Sequence, residues 1–383
     1  MRVRDTLESN SGWPDFKRRS IPEVKENAVA AAYSGAWREF PAIALFRNYN
    51  QKTRLVWMFP MAANLVEGAY FQPLQSRIMN SVLGGGFFVP WRGFEGVRDK
   101  VSKAYDTGKC IAASDFSATD EHFSVNTTKE VYEVIAPTFQ PQYRAGLWDS
   151  LQHLHRIPLI ISPNEQVVGW HGVSSGSNWT NFIETVFDMI LAIYIRIAAP
   201  GSTEHNTQGM YAIGDDMSWQ FDSYDPSFAE TLERYGASAG QIIQSTKTTN
   251  DPNKVKSLQR LFQRGYRLPS GKTRGVYSTV RALKSSVYPE RFHKPSSWSS
   301  DMFAARQFMI LENCVDHPLF EEFVKFVVRG QRDLIPFSKL QPSELTRIHR
   351  RSKLLPGLNP TYNQEKKSQS LADFASIRIA SKL

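Results

Sequence analysis

Tyr211-Ala212-Ile213-Gly214-Asp215-Asp216-Met217-Ser218-Trp219 decides how this chain is read. Apolar, β-prone residues stand on both sides of a Gly-Asp-Asp core, which is the pattern of a hairpin with an acidic tip. Gly214 can take a positive φ without a Cβ penalty. Two adjacent carboxylates repel unless a cation neutralises them. Their hard oxygens suit Mg²⁺ or Mn²⁺ better than Zn²⁺, which prefers nitrogen and sulfur. A plain surface turn with two solvated aspartates competes with this reading, because turns use Gly and Asp routinely. The choice falls to the rest of the chain.

The 383 residues suffice for about two or three domains, with 41% hydrophobic and 22% charged residues, ordinary for a globular protein. The formal net charge of +9 favours a polyanionic partner, nucleic acid or an anionic surface. That charge is concentrated: between Lys254 and Lys353 stand 20 Lys and Arg against 8 Asp and Glu, a local excess of +12, so the remainder is slightly acidic. An acidic centre upstream and a basic lobe downstream follow, with a merely solubilising surface as the alternative. Cys110 and Cys314 give neither a disulfide framework nor ligand spacing for a metal, and they point to a reducing compartment. The first residues are polar and charged, unlike a secretory leader. Phe182 to Ala199 is apolar but interrupted by Glu184, Asp188 and Arg196, which predicts a buried helix and no membrane span. The terminal Ser381-Lys382-Leu383 matches a peroxisomal address by chance.

Taken in order, Ser9 to Pro14 is a loop, and Pro22 to about Phe40 a helix opened by proline and Glu23. Arg47 to Arg54 sets cations beside the strand Leu55 to Phe59, where they can fix a phosphate. Glu67 to Leu83 is an amphipathic helix, broken by Gly84-Gly85-Gly86, which reads as a flexible loop because the P-loop lysine is absent. Cys110 to Asp115 is a short strand ending on an acid, with Asp120 five residues on, either facing a ligand or capping the next helix. Val173 to Asn181 is a small-residue loop running into the long helix from about Asn181 to Ala198, where backbone N–H groups and hydroxyls can approach a nucleotide. His153 and His155 lack partners at metal-ligand spacing and are assigned to packing or surface.

Three signals now stand in sequence: Asp115 and Asp120 as D-x₄-D, Ser175-Gly176 with Thr180 as S-G-x₃-T, and Gly214-Asp215-Asp216. Together they resemble motifs A, B and C of the palm of viral RNA-dependent RNA polymerases. Lys52 to Trp57 is similar to motif F, Gln241 to Thr248 with Lys247 to motif D, Lys256 to Phe262 to motif E, and Ser11-Gly12-Trp13-Pro14 to motif G. Ser177 to Asn181 and Tyr288 to Phe292 resemble the picobirnavirus and partitivirus branch of double-stranded RNA viruses. The position four after Thr180, often Asn in the wider family, is Glu184 here. Motif G near residue 12 implies a shortened N-terminal region.

The resemblance implies an α+β right-hand polymerase: fingers over 1–103, a palm with an antiparallel sheet over 104–266, a mainly helical thumb over 267–349 and a tail of open order over 350–383. It implies a two-metal mechanism with two Mg²⁺ or Mn²⁺ ions held by Asp115, Asp215 and Asp216. Lys52 and Arg54 would hold the triphosphate, and Lys247 would protonate the leaving pyrophosphate. Asp120, with Ser175, Gly176, Thr180 and Asn181, would read the nucleotide and its 2′-hydroxyl. Ser11, Gly12, Arg260 and Arg264 would contact RNA, Arg260 and Arg264 through the phosphates of the product duplex. The implied partners are an RNA template, NTPs and a viral capsid protein, with no membrane, in the virion interior or host cytoplasm. A reverse transcriptase is the enzymatic alternative, disfavoured by Ile213-Gly214 before the acids and by Asp120. A non-catalytic RNA-binding replication factor is the other, disfavoured by the intact acids.

Overall fold

The computed structural model describes residues 7, 9–49, 52–114, 116–199, 207–288, 298–355, 358 and 370–383, with only the backbone of 48, 49 and 52. Helix α1 (Pro22–Ser34) and a 3₁₀ turn at Ala36–Glu39 lead into strands β1 (Ala42–Tyr49) and β2 (Lys52–Met58). Then come α2 (Met61–Met79), α3 (Val82–Gly85), α4 (Phe94–Asp106), β3 (Cys110–Ser114), α5 (Thr119–His122), α6 (Val125–Ile135), α7 (Pro141–His153), β4 (Leu159–Ser162), β5 (Glu165–Val167) and α8 (Thr180–Ala198). The hairpin β6 (Tyr211–Ile213) and β7 (Asp216–Phe221) follows, then α9 (Phe228–Ser238) and strands β8 (Thr249–Asp251), β9 (Lys254–Ser257), β10 (Arg260–Arg267) and β11 (Thr273–Tyr277). Helices close the chain: α10 (Thr279–Val287), α11 (Ser300–Glu312), α12 (Phe320–Gly330), α13 (Leu334–Ser338), α14 (Pro342–Lys353) and α15 (Ala375–Ala380). This is the α+β class expected, with helices and mostly antiparallel strands in separate runs.

The chain divides into two compact units. The first comprises residues 1–46, 55–92 and 100–257, the second 47–54, 93–99 and 258–383. In the first, a four-stranded antiparallel sheet has the order β6-β7-β3-β8. Its central strand β3 is buried along its whole length, as an uninterrupted Cys-Ile-Ala-Ala-Ser run should be when both faces are covered. Helix α8 packs beside β6 and α6, and its Phe187 meets Phe123, at the end of α5, at 5.3 Å between ring centres. Trp219 of β7 meets Phe228 of α9 at 5.3 Å. Trp179, Phe182, Leu191 and Ile195 put the apolar side of α8 into this core. Among the described residues no helix is long and apolar enough to cross a membrane, and buried polar groups interrupt α8 as the sequence predicts.

In the second unit β10 and β11 pair antiparallel, with a register shift between Phe262 and Arg267. Its core is helical, built on Phe308, Met309, Leu311, Val324, Phe337, Ile348 and Phe374. The Glu312 carboxylate accepts from the backbone N–H groups of Ala375 and Ser376 and from Ser376 Oγ, at 2.9, 3.0 and 2.7 Å. This ties α15 into the core, so the lysine-rich tail ends in an ordered helix.

The triple glycine departs from expectation. Val82–Gly85 forms a short helix, because the Ser81 hydroxyl caps it by accepting from the Leu83 N–H. The preceding helix starts earlier than read, at Met61, and ends at Met79.

Candidate active site

The Gly-Asp-Asp segment is a hairpin. Ile213 pairs with Asp216, Ala212 with Met217 and Tyr211 with Ser218. Gly214 sits at φ +60° in the turn, and its N–H donates to Thr185 Oγ1 at 2.8 Å. Thr185 lies on α8 and donates in turn to the Asn181 carbonyl at 2.6 Å. The helix therefore fixes the hairpin tip by a polar tether between groups shut away from water, where an unmade bond is costly. Asp215 and Asp216 are exposed at that tip. Next to the hairpin, Ser114 at the end of β3 pairs with Met217. Asp115 itself lies outside the described residues.

Two further acids stand behind the tip, one helical turn apart on α8. Glu184 and Asp188 are 6% and 2% exposed. Burial pushes the Glu184 carboxyl well above the ordinary range. A hydrogen bond and repulsion from Asp120 add to the effect, as do the charges of Asp215 and Asp188. Asp188 is raised by burial first, then by Asp215 and Asp216. Among the described residues, Glu184 Oε1 and Asp188 Oδ2 have no hydrogen-bond partner. Asp120, on α5, is exposed and hydrogen-bonded to Glu184, so the second acid of D-x₄-D reaches α8.

This donor set fits a hard divalent cation. It consists of carboxylates, those of Asp120, Asp215 and Asp216 exposed and those of Glu184 and Asp188 buried; the buried two are raised first by burial and then by neighbouring acids, a repulsion that a cation would relieve. Among the described residues no group of three or more acids, histidines or cysteines converges as a metal site, and Asp115, the expected third ligand, is not among those residues.

The Ser-Gly loop is shaped by what it touches. Ser175 is exposed at its crest. A Cβ on Gly176 would lie 2.0 Å from the Trp57 carbonyl oxygen, so only glycine fits there. Thr180 is buried and its hydroxyl donates to the Ser174 carbonyl at 2.6 Å, holding the loop onto the first turn of α8. That bond makes Thr180 a loop brace. Asn181 is exposed, with its amide nitrogen beside Gly214. Lys247 is an exposed turn residue of the same unit, its N–H bonded to the Gln244 carbonyl. His153 and His155 are buried; His155 bonds Thr128 Oγ1 at 2.7 Å and the His171 carbonyl at 2.9 Å, a packing role.

Other candidates fall elsewhere. Ser11 is 2% exposed, its hydroxyl turned to the Gly12 carbonyl, and Gly12 is buried at φ +71°. Both shape a loop instead of presenting groups to RNA. Lys52 opens β2 and Arg54 is exposed on it, both within the second unit. Arg260 corrects the sequence reading. It is 4% exposed, donates to the carbonyls of Gly275 and Asn313 at 3.1 and 2.9 Å, and lies over the Phe94 ring at 4.3 Å. Burial lowers its pKa to about 10. A guanidinium spent on internal carbonyls is not offered to a phosphate. Arg264, further along β10, is half-buried. Strand alternation holds at the start of β10, where buried Arg260 and Phe262 alternate with exposed Leu261 and Gln263, whereas Arg264 lies in the stretch where the register shifts, between Phe262 and Arg267.

Sequence reasoning missed Thr185 and Asp188 as parts of the site. A signal existed for Asp188: Glu184 and Asp188 form an i,i+4 acid pair inside an apolar helix, and buried acids need a reason. Thr185 carried none, because the Gly214 N–H that it accepts from is remote in sequence.

Comparison with known proteins agrees with this geometry. Residues 49–276 match the viral RNA-dependent RNA polymerase family model. The chain is 30% identical over 344 residues to a potential RNA-dependent RNA polymerase of human picobirnavirus (strain Human/Thailand/Hy005102/-), across 85% of this chain and 62% of that protein. It thus spans under two thirds of that relative's length. Its fold is similar to the crystal structure of the RNA-dependent RNA polymerase of a human picobirnavirus, with TM-score 0.79 and 23% identity over 100% of this chain and 75% of the other. An insertion-loop deletion mutant of such a polymerase gives TM-score 0.75 and 25% identity over 92% of this chain and 72% of that one. The motif order, the acid-tipped hairpin braced by α8 and a family match across more than half its length place this chain in the viral RNA-dependent RNA polymerase family.

Proposed function

We propose that this chain performs template-directed nucleotidyl transfer, joining NTPs to a growing RNA strand in the replication and transcription of a viral RNA genome. The observation that carries the reading is the gathering of Asp120, Glu184, Asp188, Asp215 and Asp216 around one glycine-turned hairpin. Asp215 and Asp216, with Asp115, would hold Mg²⁺ or Mn²⁺, which when bound activates the 3′-hydroxyl and stabilises the leaving pyrophosphate. The chain's own groups do the rest. Asp120 accepts from the ribose 2′-hydroxyl and is held in place by Glu184, which occupies the position often filled by Asn. Asn181, beside Gly214, and Ser175 would contact the same nucleotide. Lys247 gives its proton to the pyrophosphate, and Lys52 and Arg54 steady the triphosphate. Arg264 and its basic neighbours hold the duplex by its phosphates, without regard to sequence. In this reading residues 104–266 are palm, flanked by fingers and thumb, and the enzyme works in the virion interior or host cytoplasm beside capsid protein.

Primer extension on an RNA template, with NTPs and dNTPs in parallel, tests it. Incorporation of NTPs over dNTPs is expected. Preference for dNTPs would instead support a reverse transcriptase, and RNA binding without incorporation a replication factor.

A further inference from the structure

Helix α2 carries an acid that the proposed chemistry does not use. Glu67 is 2% exposed. Its carboxylate accepts from Ser177 Oγ at 2.6 Å, from the Asn178 backbone N–H at 2.8 Å and from Asn64 Nδ2 at 3.0 Å. Asn64, one turn earlier on the same face of α2, completes the arrangement. Its Nδ2 donates to the Gly176 carbonyl at 3.2 Å, and its own carbonyl accepts from Asn178 Nδ2 at 2.9 Å. Arg19 steadies the pair by donating to Asn64 Oδ1 at 2.9 Å. Residues 176, 177 and 178 are therefore each tied to α2, while Ser175, immediately before them, stands exposed.

A buried carboxyl taking three donors is an expensive arrangement for simple packing. An apolar side chain of similar size would leave Ser177 free to face solvent. What the acid adds is a fixed backbone course for a loop that a small-residue sequence would otherwise leave loose. The donors draw the Glu67 carboxyl downward, as does the Arg19 charge, but burial outweighs them and raises it to about 7.

We infer that Glu67, with Asn64, is the positioning residue of the Ser175–Gly176 loop, holding its crest in the one conformation that receives the incoming nucleotide. The inference rests on the polymerase reading for its kinetic consequence but not for the clamp itself. The test uses the full chain with Glu67→Gln, which keeps one acceptor, and Glu67→Ala, which keeps none. Two readouts are taken. Hydrogen exchange of a peptide spanning residues 174–179 is expected to speed up about tenfold in E67Q and more in E67A, with the β6–β7 hairpin unchanged. In primer extension the KM for NTP is expected to rise about tenfold in E67Q, with kcat within about twofold of wild type, since the loop places the nucleotide without touching the reacting atoms.

Unchanged exchange of 174–179 in E67Q would overturn the clamp. Faster exchange with unchanged KM, or a fall in kcat at constant KM, would overturn the nucleotide-positioning role. If E67A fails to fold, E67Q decides both points. If the wild-type chain incorporates nothing, the polymerase reading fails while the exchange measurement still judges the clamp.

Discussion

Single carboxyls carry the sharpest expectations. In the proposed reading Asp215 serves the reacting phosphates and not the duplex, so Asp215→Ala should lower nucleotide incorporation by about a thousandfold or more while RNA affinity stays within about twofold. Gel-shift and primer-extension assays on the same preparation check this. Asp120 and Glu184 share one hydrogen bond, so they should behave as a unit. Asp120→Ala should lower the preference for NTP over dNTP by about tenfold. Glu184→Gln, which can still bond Asp120, should retain most of it, and Glu184→Leu should lose as much as Asp120→Ala. Additive losses in the Asp120→Ala/Glu184→Leu double variant would show that the two act separately.

Between neighbouring elements, the joint between α8 and the β6–β7 hairpin governs the site. Thr185→Val removes the acceptor for the Gly214 N–H and leaves that donor unpaired at a buried turn. The expected cost is about 1–3 kcal/mol in denaturant unfolding, with kcat down about tenfold from the loosened tip. Burial of Glu67 adds a pH dependence. Its carboxyl is at about 7 in the folded chain against an ordinary 4.5, so the unfolded chain gives up a proton that the folded one keeps. Stability from this group is fully present below about pH 4.5 and is lost as pH rises through about 7, a change of about 3 kcal/mol. Urea unfolding of wild type and E67Q at pH 4.5 and 8 should show their difference in stability moving by roughly that amount.

At the scale of the whole molecule, the proposed grip of the duplex by the local +12 excess between Lys254 and Lys353 would rest on phosphate contacts, so affinity should fall linearly on a log–log salt plot. Fully buried cations must then be separated from the rest. Half-buried Arg264→Ala should reduce the salt slope by about 0.9. Arg260→Ala should leave the slope alone and cost about 3 kcal/mol, because it strips the Asn313 and Gly275 carbonyls of their donor and uncovers Phe94. An equal change of slope for both would mean that Arg260 leaves its internal partners when RNA binds.

The sequence by itself determined what depends on neighbours along the chain. The Gly-Asp-Asp hairpin follows from β-prone residues around a glycine, the strand at Cys110–Ser114 from an apolar run, and the loop into α8 from small residues before a long apolar period. The order of these segments also carried the family and the α+β class. Which side of a strand Arg260 occupies was not legible, because alternation fixes the period of a strand but only packing fixes its phase. The Thr185 tether on Gly214 and the Glu67 clamp on residues 177 and 178 were likewise closed to sequence reasoning. Each joins groups 29 to 111 residues apart, and a hydrogen bond leaves no mark in sequence until the fold brings donor and acceptor within about 3 Å in a place without water.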